Sequence, residues 1–184
     1  LFMIPAGYLA HLLWVLNRPW SGRPFAIVAK PVAGLFCVLG YVLVIAMGSF
    51  LRRDRSEEDP PTVIAVLLNC GLGYGLFVLA AMGTSPALFG AAHLVAAALF
   101  LGLALAFWRS ERSRIATFFY AMTGYLALTV ALVDLVAIPS LFIWLSGQSL
   151  LVVATALWFR SKLIVVGNFF IYLAIVVAYT AVAR

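Results

Sequence analysis

Charged side chains are scarce in this sequence. Lys, Arg, Asp and Glu together make up only 10% of the 184 residues, whereas hydrophobic residues make up 66%. Soluble domains carry about 25% charged residues, and a chain with so few could not cover its surface with polar groups. The scarcity of charge excludes an ordinary soluble protein. The long apolar runs instead indicate an integral membrane protein.

Residues that carry catalytic or metal chemistry are also few. The sequence has two histidines and two cysteines, and it contains no glycine-rich phosphate loop, no CxxC or HExxH motif and no serine-centred elbow. The segments between the apolar runs are too short to build a catalytic domain, so we do not expect an enzyme. Cys37 and Cys70 fall in different predicted helices at different depths, and we expect no disulfide between them.

Seven apolar segments have, or nearly have, the length of about 20 residues that a membrane-spanning helix needs. Brief segments rich in Pro, Gly, Ser or charge separate them, and none is long enough to form a second domain. The prediction is an all-α integral membrane protein, with a single transmembrane domain over residues 1–184 built from tandem helical hairpins. The predicted spans are residues 1–17, 32–51, 62–82, 87–108, 115–137, 141–159 and 163–183.

Basic residues in the loops predict the orientation of these spans. The second, fourth and sixth loops contain three, three and two Lys or Arg residues, whereas the third and fifth contain none. The positive-inside rule therefore places the N-terminus and the even loops in the cytoplasm. Arg18 and Arg23 in the first loop, with Lys30 nearby, oppose this bias mildly. Because the basic residues sit in short loops, the net charge of +6 does not indicate a nucleic-acid partner.

A sequence repeat supports the hairpin arrangement. The stretches "GYGLFVLAAMGTSPALF" (Gly73–Phe89) and "GYLALTVALVDLVAIPSLF" (Gly124–Phe142) share a Gly-Tyr pair, an apolar helix and a Pro followed by Leu-Phe. Further along, each copy continues into two aromatic residues followed by Arg-Ser, and the Arg lies 36 residues after the first glycine in both (109 − 73 and 160 − 124). "AGYLAHLLW" opens a third, looser copy. The repeat predicts hairpins of one orientation, each returning to the cytoplasmic surface where Trp anchors and Arg reaches the headgroups.

Several loosely defined motifs over residues 62–183 resemble those of a known family. The segments "LLNCGLGY", "SPALFGAAHLVAAALFLGLALAFWR" and "IPSLFIWLSGQSLLVVATALWFRSKLIVVGNFFIYLAI" look like those of the bacterial polytopic "predicted membrane protein" family, domain of unknown function number twenty-three thirty-nine. The resemblance implies a many-helix fold in the bacterial inner (cytoplasmic) membrane. It implies no site residue, because the family has no assigned activity.

Two histidines in the apolar segments are candidate ligand-binding residues, because polar groups are costly in hydrocarbon. His11 and His93 are each predicted to lie about 10 Å below the outer surface, from the rise of a helix. Two imidazoles at one depth are the minimum for axial ligation of a haem, and either one alone would hold a chlorin-type pigment. The favoured alternative is that both histidines hydrogen-bond to carbonyls or headgroups, so the cofactor stays unknown and none is favoured.

Asp134, Lys30 and Gln148 are further low-ranked ligand-binding candidates, all predicted on the outer side. An Asp134–Lys30 pair would neutralise two costly charges, or Asp134 would serve as the ion-coupling carboxylate of a transporter. The position of Asp134 near the end of its span favours a solvated carboxylate instead.

Smaller polar features predict helix packing. Asn69 and Asn168 are expected to form hydrogen bonds between helices, and Gly71-x-x-x-Gly75 is expected to allow helices to approach closely.

Together these features predict a structural or interaction subunit of a bacterial membrane assembly, or one segment of a larger repeat membrane protein. Its expected partners are the lipid bilayer and other membrane protein subunits. The alternative is a transporter of a lipid-like or small apolar solute, which should show a broken helix or a midplane cavity with convergent polar groups. A second alternative is a haem- or pigment-binding membrane subunit that uses His11 or His93.

Overall fold

A computed structural model describes residues 3–15, 31–51, 60–83, 85–110 and 113–158. Every regular element in these ranges is helical, and none of them contains a strand, so the all-α prediction is confirmed there. A π-helical turn, Asn69–Gly73, joins α3 to α4, and one continuous helix therefore runs over Pro60–Met82. The helices are α1 Met3–Val15, α2 Pro31–Leu51, α3 Pro60–Leu68, α4 Tyr74–Met82, α5 Pro86–Arg109, α6 Arg114–Leu135 and α7 Ser140–Trp158.

Five of these helices are long and apolar enough to cross a membrane: α2, the continuous α3–α4 helix, α5, α6 and α7. This is the pattern of a multi-pass membrane protein. Together with the shorter α1, they overlap six of the seven predicted spans. The seventh, residues 163–183, lies outside the described residues, so seven spans and a single domain stay predictions.

The helices begin where the sequence places Pro or Ser between apolar runs. Proline is the first residue of α2, α3 and α5. Proline is tolerated in the first turn because its missing N–H would have had no partner inside the helix. At α6, the Ser113 side chain accepts a hydrogen bond from the backbone N–H of Ala116 at 3.1 Å and acts as the N-cap. The loop residues thus determine where each span starts.

The residues group into two compact units, Leu1–Ala92 and His93–Arg184. In the first unit, α1, α2, α3 and α4 pack on one another, with Val42 and Phe77 among the fully buried side chains.

In the second unit, α6 packs against α7. The Tyr120 ring of α6 stacks on two rings of α5, with centroid distances of 6.3 Å to Phe100 and 5.4 Å to Phe107. All three of these rings are buried.

Large apolar side chains also lie exposed on the outer faces of the helices. Phe36 and Val44 on α2, and Ile143 and Leu150 on α7, each leave about two-thirds or more of their surface uncovered. In water, such faces would favour aggregation, whereas in a bilayer the acyl chains cover them. The exposed side chains therefore agree with helices that face lipid.

Candidate functional site

Four polar side chains meet between α6 and α7. The hydroxyl of Tyr125 lies 2.5 Å from Oγ1 of Thr155. The side-chain nitrogen of Gln148 donates to the carbonyl oxygen of Tyr125 at 2.9 Å and to Oγ1 of Thr129 at 2.8 Å. Gln148 is only 4% exposed, and Tyr125 is 5% exposed. We call Tyr125, Thr129, Gln148 and Thr155 the α6–α7 polar cluster. Tyr125 lies near the middle of α6, and Gln148 lies near the middle of α7.

Gln148 is therefore the predicted candidate that the structure places in a polar site. Sequence reasoning missed the other three members of the cluster, although a Tyr or Thr deep inside an apolar span was an available signal. Asp134 is exposed in the last turn of α6, as expected for a carboxylate near the end of a span. Lys30 lies outside the described residues, so its pairing with Asp134 stays an alternative.

The two histidines fall in different compact units. His11 on α1 is partly buried, and its ring is hydrogen-bonded to the backbone of Gly34 on α2. This contact agrees with the favoured alternative for His11, in which the ring forms a hydrogen bond with the backbone and does not bind a cofactor. His93 on α5 is fully buried. Within the described ranges, no group of three His, Cys, Asp or Glu residues could hold a metal ion. A haem or chlorin stays an alternative that is not favoured.

A second polar cluster joins three helices of the first unit at Asn69. The Tyr8 hydroxyl of α1 donates to Oδ1 of Asn69 at 2.5 Å, and Nδ2 of Asn69 donates to the carbonyl oxygen of Val42 on α2 at 3.0 Å. Asn69 is fully buried and is the first residue of the π turn. The prediction that Asn69 forms hydrogen bonds between helices is confirmed. Asn168, for which the same was predicted, lies outside the described residues.

The glycines of the repeated Gly-Tyr pairs lie where another helix approaches closely. A Cβ atom added to Gly73 would lie 2.7 Å from the Tyr8 hydroxyl, and one added to Gly124 would lie 2.7 Å from Cγ of Leu101. A Cβ atom added to Gly7 would collide in the same way with the ring of Tyr41 on α2. Real Cβ atoms do not approach other heavy atoms so closely, so any larger residue at these positions would displace its neighbours.

The tyrosines that follow these glycines are buried side chains. Tyr8, Tyr74 and Tyr125 are each less than one-tenth exposed. In the Gly-Tyr pair of α2, which lies outside the repeat, a Cβ atom on Gly40 would meet nothing within 4 Å. The repeat therefore marks close helix contacts, and two of its tyrosines supply hydroxyl groups to the two polar clusters.

Gly71 and Gly75 face away from these contacts. Both are exposed, and a Cβ atom on either would meet nothing within 4 Å. The expectation that they bring helices of this chain together is wrong for the part of the chain that the structure describes. Gly73, two residues from each, makes the close approach instead, because residues two apart lie on roughly opposite sides of a helix.

The aromatic ends of two helices meet in the second unit. Trp108 of α5 and Trp158 of α7 are in edge-to-face contact, with ring centroids 5.0 Å apart and an interplanar angle of 66°. These two residues belong to the repeated aromatic-Arg-Ser motif, and their contact shows that α5 and α7 end on the same side of the unit. The contact supports hairpins of one orientation.

No family model matches this sequence, and no match was found among the curated proteins or the solved structures. The resemblance to the bacterial polytopic family therefore stays a prediction that rests on the quoted segments.

Proposed function

We propose that this chain is a multi-pass protein of the bacterial inner membrane that acts as a structural or interaction subunit of a membrane assembly, or as one segment of a larger repeat membrane protein. The resemblance to the polytopic bacterial family supports the same proposal. The observation that carries it is the outward-facing pair Gly71 and Gly75 on the Pro60–Met82 helix. Small residues four apart let a second transmembrane helix approach closely, and packing then drives association in lipid. The proposed partner is a helix of another membrane protein subunit.

The internal hydrogen bonds of the spans also support a packed structural subunit. The hydroxyls of Thr117, Thr123 and Ser146 each donate to the carbonyl oxygen four residues earlier in the same helix. Such bonds satisfy a hydroxyl without a partner helix or water. These three hydroxyls are thus satisfied by the main chain beside them, which suits a scaffold better than an aqueous pathway.

Replacing Gly71 and Gly75 together by Leu is expected to weaken assembly at least tenfold, because the larger side chains keep the partner helix away. The measurement is the recovery of co-purifying membrane subunits and the mass of the complex in mild detergent. The matched control replaces Gly40 and Gly48 of α2 by Leu, since these glycines are equally open. Equal assembly in both double variants would contradict the proposal.

We also propose that the N-terminus and the even loops face the cytoplasm, as the loop charges predict. Single cysteines at Ser56 and Ser110 are expected to react with an impermeant thiol reagent only from the cytoplasmic side, and one at Ser85 only from the outside. The native Cys37 and Cys70 are first replaced by Ala. Labelling of Ser56→Cys and Ser110→Cys from opposite sides would rule out this topology.

A transporter of a lipid-like or small apolar solute is the second candidate function. It is favoured by the π turn within the continuous Pro60–Met82 helix and by the α6–α7 polar cluster midway along two spans. Labelling of a Thr129→Cys variant by an aqueous thiol reagent would support this candidate, whereas a structural subunit would keep that position unreactive. The haem or pigment alternative would require a Soret or chlorin band that is lost when His11 and His93 are replaced by Ala.

A further inference from the structure

The orientation of the Gln148 amide is determined by its hydrogen bonds. Its nitrogen faces the main-chain carbonyl oxygen of Tyr125 at 2.9 Å. A carbonyl oxygen only accepts hydrogen bonds, so turning the amide over would place two acceptors against each other. The side-chain nitrogen must therefore point toward Tyr125, which places Oε1 on the opposite side of the amide.

Every polar hydrogen of the α6–α7 polar cluster is already used. Thr129 donates its hydroxyl hydrogen to the carbonyl oxygen of Tyr125, and Thr155 donates its own to the carbonyl oxygen of Leu151. The Tyr125 hydroxyl lies 2.5 Å from Oγ1 of Thr155 and 3.4 Å from the carbonyl oxygen of Leu151, so its hydrogen also has an acceptor. The two N–H groups of Gln148 go to Tyr125 and Thr129. No member of the cluster has a hydrogen left to give.

One acceptor is left over in this arrangement. The Oε1 atom of Gln148 is shielded from solvent and accepts no hydrogen bond from any described residue. A buried carbonyl without a donor costs about 1–3 kcal/mol, and neither lipid tails nor the surrounding apolar side chains supply one. The arrangement of the cluster holds the amide in place while leaving its strongest acceptor unused.

We propose that Oε1 of Gln148 binds a small neutral hydrogen-bond donor, which is either a bound water molecule or the hydroxyl group of a small solute. The donor is neutral because the cluster contains no charged side chain to balance an ion in hydrocarbon. It is small because the oxygen is shielded from solvent on a side chain that is only 4% exposed. This site is independent of the outward Gly71 and Gly75 face, so it goes beyond the proposed interaction function.

The sequence offers a direct spectroscopic test, because Gln148 is its single glutamine. Cell-free synthesis with glutamine that carries ¹³C at the side-chain carbonyl places one isotope-shifted amide band in the infrared spectrum. The protein is measured in nanodiscs of phosphatidylethanolamine and phosphatidylglycerol, both hydrated and dried. It is then titrated with cyclohexanol and, as a matched control, with cyclohexanone, which has nearly the same size but donates no hydrogen bond. A Gln148→Met variant identifies the band by its loss.

A hydrogen bond to the carbonyl lowers its stretching frequency. If water is the donor, the band lies at low frequency in hydrated discs and moves to higher frequency on drying. If a solute hydroxyl is the donor, cyclohexanol lowers the frequency saturably and cyclohexanone does not. A band that stays at the frequency of a free carbonyl in every condition overturns the proposal. A low-frequency band that neither drying nor either probe changes also overturns it, since a protein group is then the donor.

Discussion

Deletion of Gly71 is expected to leave the protein folded, whereas deletion of Gly40 is expected to abolish the packing of the first unit. A π turn closes its hydrogen bonds over one more residue than an α turn, so removing one residue from Asn69–Gly73 turns it into regular helix. The flanking segments α3 and α4 then keep their buried faces. In the regular helix α2, the same deletion rotates all following residues by about 100°. It would turn the fully buried Val42 and Ala46 out of the core.

The two deletions are closely matched, because both glycines are exposed and have nothing within 4 Å of an added Cβ atom. The measurement is the yield of monodisperse protein in mild detergent, together with the midpoint of thermal unfolding. Deletion of Gly71 should give a yield near that of the parent chain, and deletion of Gly40 should give aggregated protein. Similar losses in both variants would show that the π turn does not act as a one-residue insertion.

Replacement of Gly124 by Ala is expected to lower the free energy of unfolding by about 1–3 kcal/mol. The added Cβ atom would lie 2.7 Å from Cγ of Leu101 and 3.0 Å from its backbone nitrogen. The leucine side chain can rotate away, but the backbone contact forces α5 and α6 apart. The neighbouring Tyr125 would then lose its position in the α6–α7 polar cluster.

Gly102→Ala in α5 is the control for this substitution. Gly102 is exposed and open, so the change removes backbone entropy from the unfolded chain and should stabilise the helix by up to about 1 kcal/mol. Unfolding of both variants is followed by tryptophan fluorescence during titration with a denaturing detergent. Stability changes of the same sign in the two variants would contradict the assigned contact at Gly124.

The sequence by itself determined that this chain is helical and suited to a membrane. Apolar runs of about 20 residues match the thickness of the hydrocarbon core when they are helical, and a helix satisfies its backbone hydrogen bonds within the segment. The Pro and Ser residues between the apolar runs predicted where α2, α5 and α6 begin, because these residues act locally on the first helical turn. Such features depend only on neighbours in the chain, so they can be predicted without knowledge of the tertiary structure.

Only the tertiary structure decided which side of each helix faces protein and which residues meet. Tyr8 bonds to Asn69 across 61 residues, and Gln148 bonds to Tyr125 across 23 residues. In a soluble protein the polar face of a helix shows which side is outside, but these spans are apolar all round. Lipid and protein core are equally apolar, so the sequence pattern does not distinguish them. For this reason Gly71 and Gly75 resembled packing residues in the sequence, while Gly73 between them makes the contact in the fold.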